Sequence, residues 1–421
     1  MVTTKSKSAI TWVFILAVLL SGYMIRYFEE FSSLFITLLA VEMIVAALIN
    51  WRFNPFQVGV ARSILGLLFI FSGFVKGVDP VGTQYRIIDY FIAFGTEWAI
   101  PYALPLAIIL NASEFVLGAM LLFNIRLKIT SWLVMIMMAI FTVTTFNDAL
   151  YNPVPNCGCF GDALILTNWQ TFYKNLVIDA LLMIVFFSRN RIRFSLNPKV
   201  EYSLIIIFIL GFVWFEIFSI RHLPVIDFRD WKVGNRMTIE ERKPLKYYLS
   251  YRNKETGEKQ EFLSPNYPYD DSVWMADWEF VEQRVIDPNP KANNLVLEDE
   301  SGNDVTDQII ANPDFQFMLV SYDLNSINTK KLDEIKKFLT KCKEDGYSFV
   351  LLTSSVPDDV HHFLKENNLT IDYYFADDVS LEAMIRSNPG LVLLKNGVVL
   401  GKWHYNDFPD YEDFKQKFVD N

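Results

Sequence analysis

Cysteine is nearly absent from this chain, with three in 421 residues, at positions 157, 159 and 342. Histidine is almost as scarce: four in all, none before His222. Zinc needs four ligands, usually from two separated pairs. Cys157 and Cys159 have no second pair and no histidine near them in sequence, so no metal site is expected. Nothing resembles a basic nucleic-acid patch, and a formal net charge of −10 argues against nucleic acid as a partner. Lysine and arginine are also missing from Asn147 to Tyr173, the stretch that holds two of the three cysteines.

Apolar residues are plentiful, at 52% of the chain, too many for an ordinary soluble protein of this charge. The two properties are compatible only if they occupy different parts. Residues 1–221 carry nearly all the long apolar runs, and residues 222–421 carry most of the acid. About 20 helical residues cross roughly 30 Å of hydrocarbon. Seven stretches qualify: 9–27, 31–50, 58–77, 102–123, 127–147, 171–188 and 202–220. The first follows Lys5 and Lys7, but no small-residue cleavage site comes after it, so it is expected to be retained.

Basic residues in the short loops set the orientation. With the amino terminus inside, ten fall on the cytoplasmic side (Arg189, Arg191, Arg193 and Lys199 form the main cluster) and five on the other. This arithmetic puts the acidic tail and the Cys157 loop outside. In a bacterial inner membrane that is the periplasm, where disulfides persist.

"VPNCGCFGDAL", Val154 to Leu164, lies between two of these apolar runs. Its cysteines have two further readings besides metal: a structural loop, with a permanent disulfide or two small half-buried residues, and reversible thiol–disulfide exchange. Two thiols one residue apart close a small strained ring, which Gly158 relaxes enough to permit. Strain makes such a bond easier to reduce and pass on. Pro153 and Pro155 stiffen the approach, while Gly161 and Asp162 turn the chain away.

The stretch "CGCFGD" between membrane helices resembles the periplasmic loop of the MauE branch of the DoxX-like membrane proteins. "ARSILGLLFIFSGFVKGVDPVGTQYRIIDYFIAFG", Ala61 to Gly95, is similar to that family's opening helix and following loop. The resemblance covers roughly 58–190, a four-helix unit. It implies a redox role in the cell envelope, either maturation of disulfide-rich partners or quinone-linked oxidation of sulfur compounds. It also makes Cys157 and Cys159 the redox pair. Quinone is the candidate electron carrier, and no other cofactor is implied.

Polar groups in the apolar runs supply the supporting candidates. Glu42 and Glu114 lie mid-span, where a charge costs at least about 2.5 kcal/mol. Each is either functional or a neutral acid hydrogen-bonded between helices. Ser72 and Lys76, one turn apart, form a polar face beneath the cysteine loop, with Lys76 also readable as a snorkelling anchor. Asp79, Tyr85 and Arg86 match the family's pattern in a loop. Asn147 and Asp148 read as helix caps, and Asp179 as a further buried carboxyl. The supporting set for the cysteines is therefore Lys76, Arg86, Glu114 and Asp162.

After Arg221 comes a juxtamembrane connector, then a β-hairpin from "LKYYLSYRN" and "GEKQEFL". A linker at 287–290 leads into strands alternating with helices and a closing antiparallel hairpin, which specify a mixed α/β sheet. This order resembles the thioredoxin fold of the peroxiredoxin and thiol-reductase type. "SNPGLVLLKNG" is similar to the segment bearing that fold's cis-proline, which would be Pro389. The Cys-x-x-Cys of that fold is missing: "SYDLNSINTKKL" stands in its place. Cys342, spaced with Phe338 and Leu339, reads as core. Such a domain cannot exchange disulfides itself, but it is expected to bind extended peptide beside Pro389 by strand addition.

The expected fold is thus a membrane all-α bundle of about seven transmembrane helices plus a periplasmic α/β thioredoxin-like domain. Its parts are two amino-terminal helices (1–57), the MauE-like unit (58–190), a seventh helix (191–221), a β-rich connector (222–290) and the thioredoxin-like domain (291–421). Two functions remain: a redox protein of the bacterial inner membrane with a periplasmic or membrane protein partner, or a non-catalytic membrane scaffold whose outer domain binds a protein or peptide. Membrane lipid surrounds the bundle in both.

Overall fold

A computed structural model of the chain describes residues 53–154, 158–191, 196–238, 246–286 and 295–420. The spans expected at 9–27 and 31–50, Glu42, Cys157 and the linker at 287–290 lie outside the described residues. The chain divides into two compact units, 1–229 and 230–421.

The first unit is helical. Its helices are α1 (Pro55–Val78), α2 (Pro80–Ala93), α3 (Ala103–Leu122, entered through a 3₁₀ turn at Glu97–Tyr102), α4 (Leu127–Tyr151), α5 (Asn168–Ser188) and α6 (Pro198–Arg221). Five of them are long and apolar enough to cross a membrane, and they match the last five expected spans to within a few residues. Local chemistry fixes the starts. Asn54 with Gln57, and Thr167 with Gln170, form reciprocal capping boxes at the heads of α1 and α5.

Helix α2 corrects the reading of 79–95 as a loop. Asp79 caps it by accepting from the Gly82 N–H, Pro80 supplies a preset first turn, and fourteen residues of amphipathic helix follow. Tyr85 and Arg86 therefore stand on a helix.

Helices α1 and α3 approach closely because glycine lines their contact. A Cβ at Gly73 would lie 2.6 Å from the Phe115 nitrogen, and one at Gly118 2.6 Å from the Ile70 nitrogen. In lipid, where apolar burial gives little drive between helices, such small-residue contacts do much of the joining. Leu65, Leu121, Met138, Leu182 and Ile184 fill the space between α1, α3, α4 and α5. Arg126 pairs with Glu201 at 2.8 Å, tying the α3–α4 turn to α6.

The second unit holds two sheets. β1 (Lys246–Asn253) pairs antiparallel with β2 (Lys259–Leu263) as the expected hairpin, and with β3 (Trp278–Ile286) on its other side. The five-stranded sheet has the order β6-β5-β4-β7-β8, formed by β4 (Phe315–Val320), β5 (Ser348–Thr353), β6 (Asp372–Phe375), β7 (Gly390–Lys395) and β8 (Val398–His404). β4, β5 and β6 run parallel; β7 runs antiparallel to β4, and β8 antiparallel to β7. β4 is buried along its whole length, as a strand covered on both faces must be. Amphipathic helices α7 (Leu332–Glu344) and α8 (Tyr411–Phe418) cover one face and enclose Phe317, Phe338, Phe349 and Phe414. Cys342 is fully buried in this core, and burial pushes its thiol pKa up.

Candidate functional site

The loop after α4 is anchored first. Asn168 Nδ2, at the head of α5, donates to the Val154 carbonyl at 3.0 Å and to Asn152 Oδ1 at 2.8 Å. Phe160 turns inward, 5.7 Å from the Phe71 ring, with the Lys174 ammonium 4.5 Å from its own centroid. Gly158 and Gly161 both take positive φ, 63° and 52°. A side chain at 158 would also meet Arg86, whose Cγ lies 3.0 Å from the Cβ position. Glycine is needed there twice over, for backbone and for space.

Beneath the loop lies a buried polar cluster contributed by α1 and α3. Lys76 Nζ and Glu114 Oε1 form an ion pair at 2.5 Å, with Lys76 6% and Glu114 1% exposed. Ser72 Oγ lies 2.7 Å from Glu114 Oε2 and 2.8 Å from the Cys159 carbonyl. One hydroxyl proton serves two acceptors, so Ser72 links the state of the ion pair to the loop backbone. Lys76 also sits 5.7 Å from the Phe141 ring centroid. It is no snorkelling anchor: a lysine one turn from its helix end reaches water unless a buried partner holds it, and Glu114 holds it.

Arg86 comes to the loop as well, its stem against Gly158 and its guanidinium 3.2 Å from Asp89. Cys159 is half-buried, and Asp162 is exposed in the following turn. Lys76, Glu114 and Arg86 thus gather around the Cys159 side of the loop, and Asp162 faces water. Asn147 and Asp148 are not caps, because α4 continues to Tyr151; buried Asp148 accepts from the Tyr90 hydroxyl of α2 at 2.5 Å. Asp179 accepts from Thr142 at 2.7 Å between α5 and α4.

Sequence reasoning missed Asn111, Tyr90, Asn168 and Glu216. Asn111 and Glu216 are single polar residues in apolar runs. That is the signal that singled out Glu114, and it applied equally to them.

In the second unit the Asn388–Pro389 peptide is cis, and Pro389 is buried. Asn388 donates to the Asp323 carbonyl at 2.7 Å, and Ser321 donates to its Oδ1 at 2.6 Å. The Asn388 carbonyl, beside the expected peptide-binding Pro389, accepts from Asn328 N–H at 3.0 Å. No group of metal-ligating side chains occurs among the described residues.

Comparison with known proteins is informative for the first unit. Residues 54–188, the segment that holds α1 to α5, match the family model described as Methylamine utilisation protein MauE. No curated protein and no solved structure matches the chain. Helix α6 and the whole second unit lie beyond the matched segment.

Proposed function

We propose that this chain is a redox protein of the bacterial inner membrane, in which Cys157 and Cys159 cycle between dithiol and disulfide. The carrying observation is the buried Lys76–Glu114 pair, joined through Ser72 to the Cys159 carbonyl. A charged pair is costly within a membrane bundle and is normally placed where function needs it, and this one lies directly under the loop. Arg86, whose stem lies against Gly158, is a cation that would favour a thiolate, in a stretch that has no lysine or arginine of its own.

The balance is simple. A partner dithiol reduces the loop disulfide through a mixed disulfide, giving up two electrons and two protons; a quinone takes them as the loop is reoxidised. The positive-inside count supports a periplasmic loop and tail. The β6-β5-β4-β7-β8 order supports a thioredoxin-like outer domain that recruits the partner. Its lack of cysteine at Asp323–Ser326, and the engaged Asn388 carbonyl, favour the second reading for that domain alone: a non-catalytic scaffold that binds by another surface.

Cys159→Ser should leave Cys157 unable to resolve and accumulate a mixed disulfide, seen as a reductant-sensitive high-mass band. Cys157→Ser should give a different trapping pattern, since attacking and resolving roles differ. If both variants match the parent and no partner is trapped, the loop is a structural staple and the redox reading is wrong.

A further inference from the structure

Glu216, on α6, is 0% exposed, and neither of its carboxyl oxygens has a hydrogen-bond partner among the described residues. It faces Asn111 of α3, also 0% exposed, whose two side-chain polar atoms are equally unpartnered. The surroundings are aromatic: Phe115 stacks on Phe212 at 4.3 Å, and Phe74 on Phe215 at 5.6 Å. Among the described residues these four buried polar atoms have only each other within reach, and no cation faces the carboxyl. An ionised carboxylate in such a place is costly.

The charges on the elements packed against α6 are committed elsewhere. Lys76 of α1 and Glu114 of α3 neutralise one another. Arg62, also on α1, donates to the Leu121 and Leu122 carbonyls. On α2, Arg86 pairs with Asp89, and Tyr90 donates to Asp148. At the ends of α6 itself, Glu201 pairs with Arg126, and Arg221 lies in the last turn.

We propose that Glu216 and Asn111 form a proton-binding site within the membrane bundle. A proton on Glu216 removes the buried charge and gives the carboxyl a donor for Asn111 Oδ1, leaving its other oxygen free to accept from Nδ2. No other ligand of one-proton size supplies both a donor and charge neutrality. The site is contiguous with the cluster under the cysteine loop. Asn111 stands one helical turn before Glu114 on α3, and its backbone carbonyl abuts Gly73, the residue after Ser72. Proton binding at Glu216 does not depend on the thiol reading; exchange with the loop end does.

The test uses the full chain in detergent or native membranes, with dicyclohexylcarbodiimide as the probe, since it modifies protonated carboxyls in apolar surroundings. Peptide mass spectrometry on the unaltered protein reads the labelled residue directly, so no variant need fold. Glu216 is expected to be labelled in mildly acidic buffer, progressively less as the buffer becomes alkaline, and not at all in E216Q. Absence of label at Glu216, or label that is the same in acidic and alkaline buffer, overturns the site. Labelling that persists in a chain lacking both loop cysteines supports the proton site independently of the redox reading. Equal labelling of the oxidised and reduced protein refutes only the exchange with the loop.

Discussion

At residue scale, the Lys76–Glu114 pair makes the sharpest demand. Removing one member of a buried pair leaves the other uncompensated, which costs about 3–5 kcal/mol, whereas replacing both with apolar residues is often neutral. Glu114→Gln should therefore lower unfolding stability in detergent markedly, and the double change Lys76→Met with Glu114→Leu should restore it. If the pair serves the loop, the restored protein still fails to cycle its cysteines, as read by thiol alkylation. Cys342 behaves oppositely. Buried in the second unit and with its thiol disfavoured from ionising, it should resist alkylation in the native protein and react only as denaturant opens the fold. Lys76 also shows where sequence stops being legible. Its position near a helix end was readable, but its partner stands 38 residues away. No local pattern reports that two helices bring them together, whereas the glycines that permit the approach are visible only as scattered small residues.

At the scale of elements, the apolar runs were readable because a membrane-crossing helix is a long, one-state signal. Helix α2 was not: fourteen residues with a mixed face, between two spans, resemble a loop until the Asp79 cap is seen. The α1–α3 contact supplies the test. Gly118→Leu would force a Cβ to within 2.6 Å of backbone at Ile70, and overpacking of this kind costs about 1–3 kcal/mol or more. A lowered unfolding midpoint in detergent is expected, with no comparable loss for Gly59→Leu, where the space is open. In the second unit, Phe317→Ala should cost about 3–5 kcal/mol, because it empties the centre of the aromatic core. Helix α8 adds a pH dependence. Lys415 and Tyr411 hold the Asp345 carboxyl below its usual range. A depressed carboxyl contributes stability above its unfolded pKa and loses it as pH falls through the folded one. The thermal midpoint of the second unit should thus fall on acidification, and Asp345→Asn should flatten that limb.

At the scale of the molecule, the sheet of the second unit is covered at one end of each margin by its own chain. Glu298 exchanges backbone hydrogen bonds with Phe375 on β6. At the opposite margin, Gly234 N–H donates to the Val399 carbonyl, Val399 N–H to the Asn235 carbonyl, and Met237 N–H to the Gly397 carbonyl, at the start of β8 and the turn before it. A bare strand margin is a template for another chain. The residues that leave the membrane helix therefore act as a guard rail as well as a tether. A soluble fragment begun near residue 225 keeps its rail and should run as a monomer on size exclusion. One begun at 239 loses it, together with the buried side chains of Trp231 and Met237, and should self-associate through β8.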